Sequence, residues 1–97
     1  MTKILCAVLC YNNENTISSV IKEINKIKNK FDIIFINDGS TDKTKNILNS
    51  FKTKVINHKK NLGYGGAVNS AIKFANVKKY KYFAIFPGDN QRYIKYL

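Results

Sequence analysis

The sequence is poor in several residue types, and each shortage removes a class of protein. It has two cysteines, Cys6 and Cys10. Four apart in one apparent strand, they would face the same side roughly 13 Å from each other, beyond disulfide reach. A C-x-x-x-C with no third or fourth ligand nearby argues against zinc, so they read as free, buried thiols. No apolar stretch approaches the roughly 20 residues of a spanning helix. Met1-Thr2-Lys3-Ile4-Leu5 runs straight into a strand-like segment, and Asn12-Asn13-Glu14 arrives too early for the apolar region and cleavage site of a signal peptide. A cytoplasmic protein is expected.

Arginine is nearly absent: of 17 basic residues only Arg92 is not lysine, against six acidic residues and a formal charge of +11. Arginine is the residue that reads guanine or grips phosphate bidentately, so no specific nucleic-acid partner is expected. The lysines are spread along the chain. A compositional bias toward Asn, Ile and Lys accounts for the charge as well as attraction to an anionic membrane surface or an anionic substrate does.

What is present is a regular alternation of strand and helix signals. Ile4 to Leu9 is continuously apolar, as in a parallel strand covered on both faces. From Thr16 the apolar positions Ile17, Val20, Ile21, Ile24 and Ile27 predict an amphipathic helix of about four turns. Phe31 to Ile36 reads as the second strand, Thr41 to about Phe51 as the second helix with Ile47, Leu48 and Phe51 inward, and Lys54 to Asn57 as a short third strand. Val68, Ala71, Ile72 and Ala75 predict a third helix whose small residues allow close approach to a sheet, and Tyr82 to Phe86 a fourth strand. The order β-α-β-α-β-α-β predicts a parallel sheet with right-handed crossovers. At 97 residues the chain suits one small domain or part of a larger one.

The central stretch is Asp32-Ile33-Ile34-Phe35-Ile36-Asn37-Asp38-Gly39-Ser40-Thr41-Asp42, a buried strand delivering polar residues to a sheet edge. Ligands of open α/β sheets bind outside the carboxyl ends of the strands, which places Asp38 where a ligand contact is expected. Ser40 or Thr41 also suits a helix N-cap, with Asp42 favoured in the first turn. The glycine loop Asn61-Leu62-Gly63-Tyr64-Gly65-Gly66-Ala67 fails the dinucleotide pattern G-x-G-x-x-G/A, since Val68 stands at its last position, and no P-loop lysine is present. It suits anion binding by backbone N–H groups, with Lys59 and Lys60 close by, and equally a tight turn with close helix packing. Asp89, with Asn90 and Gln91, is a second carboxylate at a strand end and suits a hard divalent cation; Gly-Asp-Asn is also an ordinary turn sequence. His58 reads as a structural residue, and no Ser-His-Asp or Cys-His set is evident.

Taken together, these segments resemble family 2 glycosyltransferases, which have the GT-A fold. Tyr11-Asn12-Asn13-Glu14 is similar to that family's Y-N-E-E motif, Asn37-Asp38-Gly39-Ser40-Thr41-Asp42-Lys43-Thr44 to its D-D-G-S-T-D-x-T motif, and Asn61-Leu62-Gly63-Tyr64-Gly65-Gly66-Ala67 to its N-x-G-x-G-x-A segment. Phe86-Pro87-Gly88-Asp89-Asn90-Gln91 stands where the D-x-D metal motif belongs. The resemblance implies a partial GT-A domain over residues 1–97: an α/β, Rossmann-like, mostly parallel sheet with helices on both faces.

It further implies a nucleotide-diphospho-sugar donor. Tyr11 would stack on the base, Asp38 would accept an N–H from it, and Glu14 would support that pocket, with Asn12, Gly39, Gly63, Gly65 and Gln91 as further substrate-binding residues. Asp89 would hold Mg²⁺ or Mn²⁺ against the diphosphate. The closest similarity is to the branch using polyprenyl-phosphate acceptors, which implies an acceptor at the inner membrane face. Asn13, Asn37 and Pro87 each replace an acidic residue of the family pattern, so one metal carboxylate remains. The family's acceptor half and general base lie beyond the D-x-D region, and no carboxylate follows Asp89. The expectation is therefore a donor-binding portion, catalytically incomplete by itself and prone to self-association through uncovered apolar surface. The competing expectation is a degenerate nucleotide-binding or protein-interaction module without transfer activity.

Overall fold

A computed structural model describes residues 4–27 and 30–88. The elements are β1 (Ile4–Cys10), α1 (Ile17–Asn25), β2 (Phe31–Asn37), α2 (Thr44–Ser50), β3 (Val55–Asn57), α3 (Gly63–Val77) and β4 (Tyr82–Pro87). The four strands form one parallel sheet in the order β3-β2-β1-β4. The described residues thus form a Rossmann-like α/β fold. Crossovers of one hand explain the layering: the chain steps outward from β1 to β2 to β3, then reverses to reach β4, so a helix after the reversal falls on the opposite face.

The two faces are packed differently. On one, Ile17, Val20, Ile21 and Ile24 of α1 and Leu48 of α2 pack with Cys6, Val8, Cys10, Phe35 and Phe86. On the other, Ala67, Ala71 and Ala75 of α3 pack with Leu5, Ala7, Ile34 and Ile36. Alternate residues of β1 serve alternate faces, so both thiols lie on the α1 side, buried and unpaired as expected. Burial pushes the Cys6 thiol up to about 11 and the Cys10 thiol up to about 12, so neither is a nucleophile near neutral pH.

Four element details differ from expectation. Phe51, expected inward, follows the end of α2 and is exposed. Helix α1 ends at Asn25; Lys26 and Ile27 follow in a tighter turn, their N–H groups donating to the carbonyls of Glu23 and Ile24. Helix α2 starts at Thr44 instead of Thr41, because residues 41–43 are held by another loop, as described below. In α3 the buried seam is Ala67, Ala71 and Ala75, while Val68 is half-buried and Ile72 exposed. A seam of alanines four apart lets the helix backbone approach the sheet more closely than the bulkier positions would allow.

No helix among the described residues is long and apolar enough to cross a membrane. The alanine seam yields a stability prediction. Ala71→Leu inserts three carbons where the side chain is fully buried, and overpacking of this kind costs about 1–3 kcal/mol. Urea unfolding should show that loss, whereas Ile72→Leu on the exposed flank should leave the midpoint within about 0.5 kcal/mol of the parent.

Candidate functional site

The carboxyl ends of the strands gather the polar residues, and Asp38, the first residue beyond β2, organises them. It is buried, yet donors reach both of its oxygens. Its Oδ1 accepts from Leu62 N–H at 2.8 Å and its Oδ2 from Gly63 N–H at 3.0 Å. Oδ1 also lies 2.7 Å from His58 Nδ1. Burial opposes ionisation of this group, but His58 and the two backbone donors outweigh it and hold the carboxyl below its ordinary range. These backbone donors are the first N–H groups of α3, otherwise unpaired, so the carboxylate caps a helix from a distant strand.

The register explains the contact with His58. Asn37 pairs with Asn57 across β2 and β3, so the next residues, Asp38 and His58, emerge side by side. The imidazole Nε2 lies 2.7 Å from Ser70 Oγ on α3. Carboxylate, imidazole and hydroxyl thus form the chain that serves hydrolytic triads. Here Ser70 lies about 10 Å along α3 from its first turn, so the free N–H groups there cannot act as its oxyanion donors. The chain is a brace and not a nucleophile.

A second set of bonds locks the loop after β1 to the loop after β2. Asn12 N–H donates to Ser40 Oγ at 3.0 Å, and Asn12 Oδ1 accepts from Thr41 N–H at 2.8 Å and Asp42 N–H at 3.3 Å. Asn13 N–H donates to Thr44 Oγ1 and Glu14 N–H to Asp42 Oδ2, while Glu14 Oε1 accepts from Lys43 N–H. Asp42 Oδ1 takes Thr44 N–H at 2.9 Å, so neither Ser40 nor Thr41 caps α2 as the sequence suggested. Burial raises the Asp42 carboxyl, but Thr44 and the Glu14 amide outweigh that and lower it. Asn12 accommodates the lock with a left-handed φ of 50°.

Gly39 is fixed by two constraints at once. Its φ is +71°, and a Cβ there would stand 2.3 Å from the Lys60 carbonyl carbon. The glycine loop passes directly over it. Gly63 needs glycine for its φ of +84°, whereas Gly65 faces open space. Gly88 closes the rim from β4: its N–H donates to Leu9 C=O, and its C=O accepts from Thr16 Oγ1.

These residues enclose a cleft of about 220 Å³ lined by Leu9, Cys10, Tyr11, Asp38, Asn61, Gly63, Tyr64 and Ala67. Tyr11 and Tyr64 are 45% and 73% exposed, leaving ring surface available for stacking. A larger cleft, about 410 Å³, opens at the amino end of the sheet among Phe31, Phe51, Lys52, Phe74 and Tyr80. Tyr80 donates its hydroxyl to Asp32 there, a bond that together with burial pushes the phenol up to about 12. Ligands of open α/β sheets bind at the carboxyl ends, which favours the smaller cleft.

Of the expected site residues, Tyr11, Asp38 and Gly63 line this cleft, while Asn12, Glu14 and Gly39 build the loops behind it. Asp89 and Gln91 lie outside the described residues, among which no group of three potential metal ligands comes together. Sequence reasoning missed Tyr64 and Asn61 as lining residues and His58 and Ser70 as the brace. The register of β2 against β3 carried the signal for His58; nothing in the sequence tied Ser70 to it.

The sequence pattern described as glycosyl transferase family 2 matches residues 6–93. The uncharacterized protein MJ0544 of Methanocaldococcus jannaschii is 32% identical across 90% of this chain and 40% of its own length. The uncharacterized protein MJ1222 of the same organism is 34% identical across 96% of this chain and 38% of its own length. The chain therefore spans about two fifths of these relatives.

The lowered carboxyl groups of Asp38 and Asp42 give a pH prediction with a definite sign. Their folded values lie below the unfolded value of about 3.9, so the stability they contribute is present above that pH and lost as pH falls through the folded values. Urea midpoints should therefore drop as pH is lowered below about 4, and the slope should flatten in Asp42→Asn. Equal slopes in parent and variant would count against the assignment for Asp42.

Proposed function

The chain belongs to glycosyl transferase family 2, and from that premise we propose that it forms the donor-binding portion of an enzyme that moves a sugar from a nucleotide-diphospho-sugar to an acceptor. The observation that carries this reading is the cleft itself. Tyr11 and Tyr64 present ring surface beside an ionised carboxylate and the opening turn of α3. A volume of about 220 Å³ suits a planar base and not a whole nucleotide. The base would stack on Tyr11.

Asp38 sharpens the choice of base. An ionised carboxylate only accepts hydrogen bonds, and Oδ2, bonded among the described residues to Gly63 N–H alone, has capacity for one more donor. Uracil and guanine carry an N–H at the centre of their pairing edge; adenine and cytosine carry an acceptor there. UDP or GDP donors are thereby favoured. The diphosphate would extend from the cleft toward Gly65, whose neighbourhood is open.

Asp89 follows directly on Gly88, which β4 brings against Leu9. It would hold the divalent metal, Mg²⁺ or Mn²⁺, with Gln91 as an auxiliary residue; such an ion, when bound, neutralises charge on the departing nucleotide. The acceptor half would come from the part of the relatives' length that this chain does not span. A polyprenyl phosphate at the inner membrane face is the proposed acceptor, supported by the charge of +11, which is drawn to anionic lipid.

Calorimetric titration with UDP, GDP and CDP, each with and without Mn²⁺, tests the donor site. UDP or GDP should bind more tightly than CDP, and Mn²⁺ should tighten binding in the parent but not in Asp89→Ala. Tyr11→Ala should weaken binding about tenfold or more, since stacking of a base on an aromatic ring is worth about 1–3 kcal/mol. Silence with every nucleotide would transfer the weight to a non-catalytic interaction module.

We also propose self-association through β4, which ends the sheet among the described residues and carries exposed Tyr82 and Phe83. Unpaired apolar edges of this kind recruit further strands. Sedimentation at rising concentration should show dimers or larger species that Phe83→Lys dissolves; a monodisperse monomer throughout would sink the idea.

A further inference from the structure

We propose that His58 is a positioning residue of the donor site: it occupies one oxygen of Asp38, so that an incoming base N–H is directed to the other. This rests on the donor-site reading above and extends it to a residue outside the cleft lining. The argument starts from the number of acceptor places on the carboxylate. An ionised carboxylate offers about four lone-pair sites, two on each oxygen. Oδ1 meets both Leu62 N–H and His58 Nδ1, at 2.8 and 2.7 Å, and is saturated. Among the described residues Oδ2 meets only Gly63 N–H, at 3.0 Å. These leave one site, on the oxygen His58 does not touch.

The hydrogen-bond chain also sets which imidazole nitrogen carries hydrogen. Because Asp38 is acceptor-only, Nδ1 must be the donor. Nε2 then accepts the Ser70 hydroxyl hydrogen in the neutral ring, or donates to Ser70 Oγ in the charged ring. A hydroxyl rotates to suit either case. Ser70 therefore holds the ring plane in both states, and its place on α3 ties the brace to the same helix whose first N–H groups Asp38 caps. His58 is itself held, its N–H donating to Asn37 C=O at 2.9 Å. Rotation of Asp38 about its last torsion would turn the carboxylate plane off the Leu62 and Gly63 amides; the brace, fixed at both ends, opposes it.

Two replacements separate this role from simple packing. The side-chain nitrogen of Asn falls near the position of imidazole Nδ1, that of Gln near Nε2. His58→Asn keeps the donor to Asp38; His58→Gln keeps the contact with Ser70 and loses that donor. In the ligand-free chain, hydrogen exchange at Leu62 and Gly63 amides should quicken about tenfold in His58→Gln and stay within about threefold of the parent in His58→Asn, a hydrogen bond to a charged group being worth at least that ratio. Long-range proton–nitrogen spectra of the parent should show hydrogen on Nδ1. Affinity for whichever of UDP or GDP binds should follow the same order, weaker by about tenfold in His58→Gln than in His58→Asn at matched thermal stability.

Exchange unchanged in His58→Gln, both variants losing equally, or hydrogen found on Nε2 alone would each overturn the proposal. Unequal amide exchange with equal nucleotide affinity would also overturn it, since the brace would then serve the fold and not the site. A parent that binds neither nucleotide defeats the donor reading, and with it the claim that this orientation serves a donor, whatever the amides show.

Discussion

The structure depends on one buried negative charge. A carboxylate taken out of water costs several kcal/mol unless donors replace its hydration, and Asp38 recovers them from α3, a helix that follows β3 and not β2. Everything nearby answers to that bond. The glycine loop must pass close over Gly39 for Leu62 and Gly63 to reach the carboxylate, and only a residue without Cβ permits the approach. Gly63 must turn with positive φ to start the helix at that spot. His58 must stand beside β2 to share the same oxygen.

Around this centre, polar groups serve as architecture before they serve any ligand. Asn12, Glu14, Ser40, Thr41 and Asp42 take part in hydrogen bonds that fasten two loops together. Preorganisation is the gain: a site built on interlocked loops loses little entropy when it binds. Between these loops the faces of Tyr11 and Tyr64 stay exposed and the space over Gly65 stays open.

Much of this was legible beforehand, and the misses have common physical causes. The run Ile4 to Leu9 and the spacing of Ile17, Val20, Ile21 and Ile24 correctly marked a strand buried on both faces and a helix on one. The sequence starts helix α2 three residues early because Thr41 and Asp42 look like first-turn residues, while their N–H groups go to Asn12, about thirty positions away. Periodicity points Ile72 inward, but the close alanine seam turns it outward. His58 reads from sequence as structural, a description that holds for its bonds and omits the residue it contacts.

The sequence by itself determined which segments become strands and helices, their parallel order, and the identity of the family, because hydrophobic period and short motifs are local properties. Only the tertiary structure decided what the motif residues do. Strand register set Asp38 beside His58, the return of the chain on the far face brought α3 over β2, and those two placements converted an isolated acidic residue into a helix cap, a braced carboxylate and one wall of a cleft. Such roles come from contacts between residues twenty or more positions apart, and no local pattern encodes which distant donor a buried charge will find.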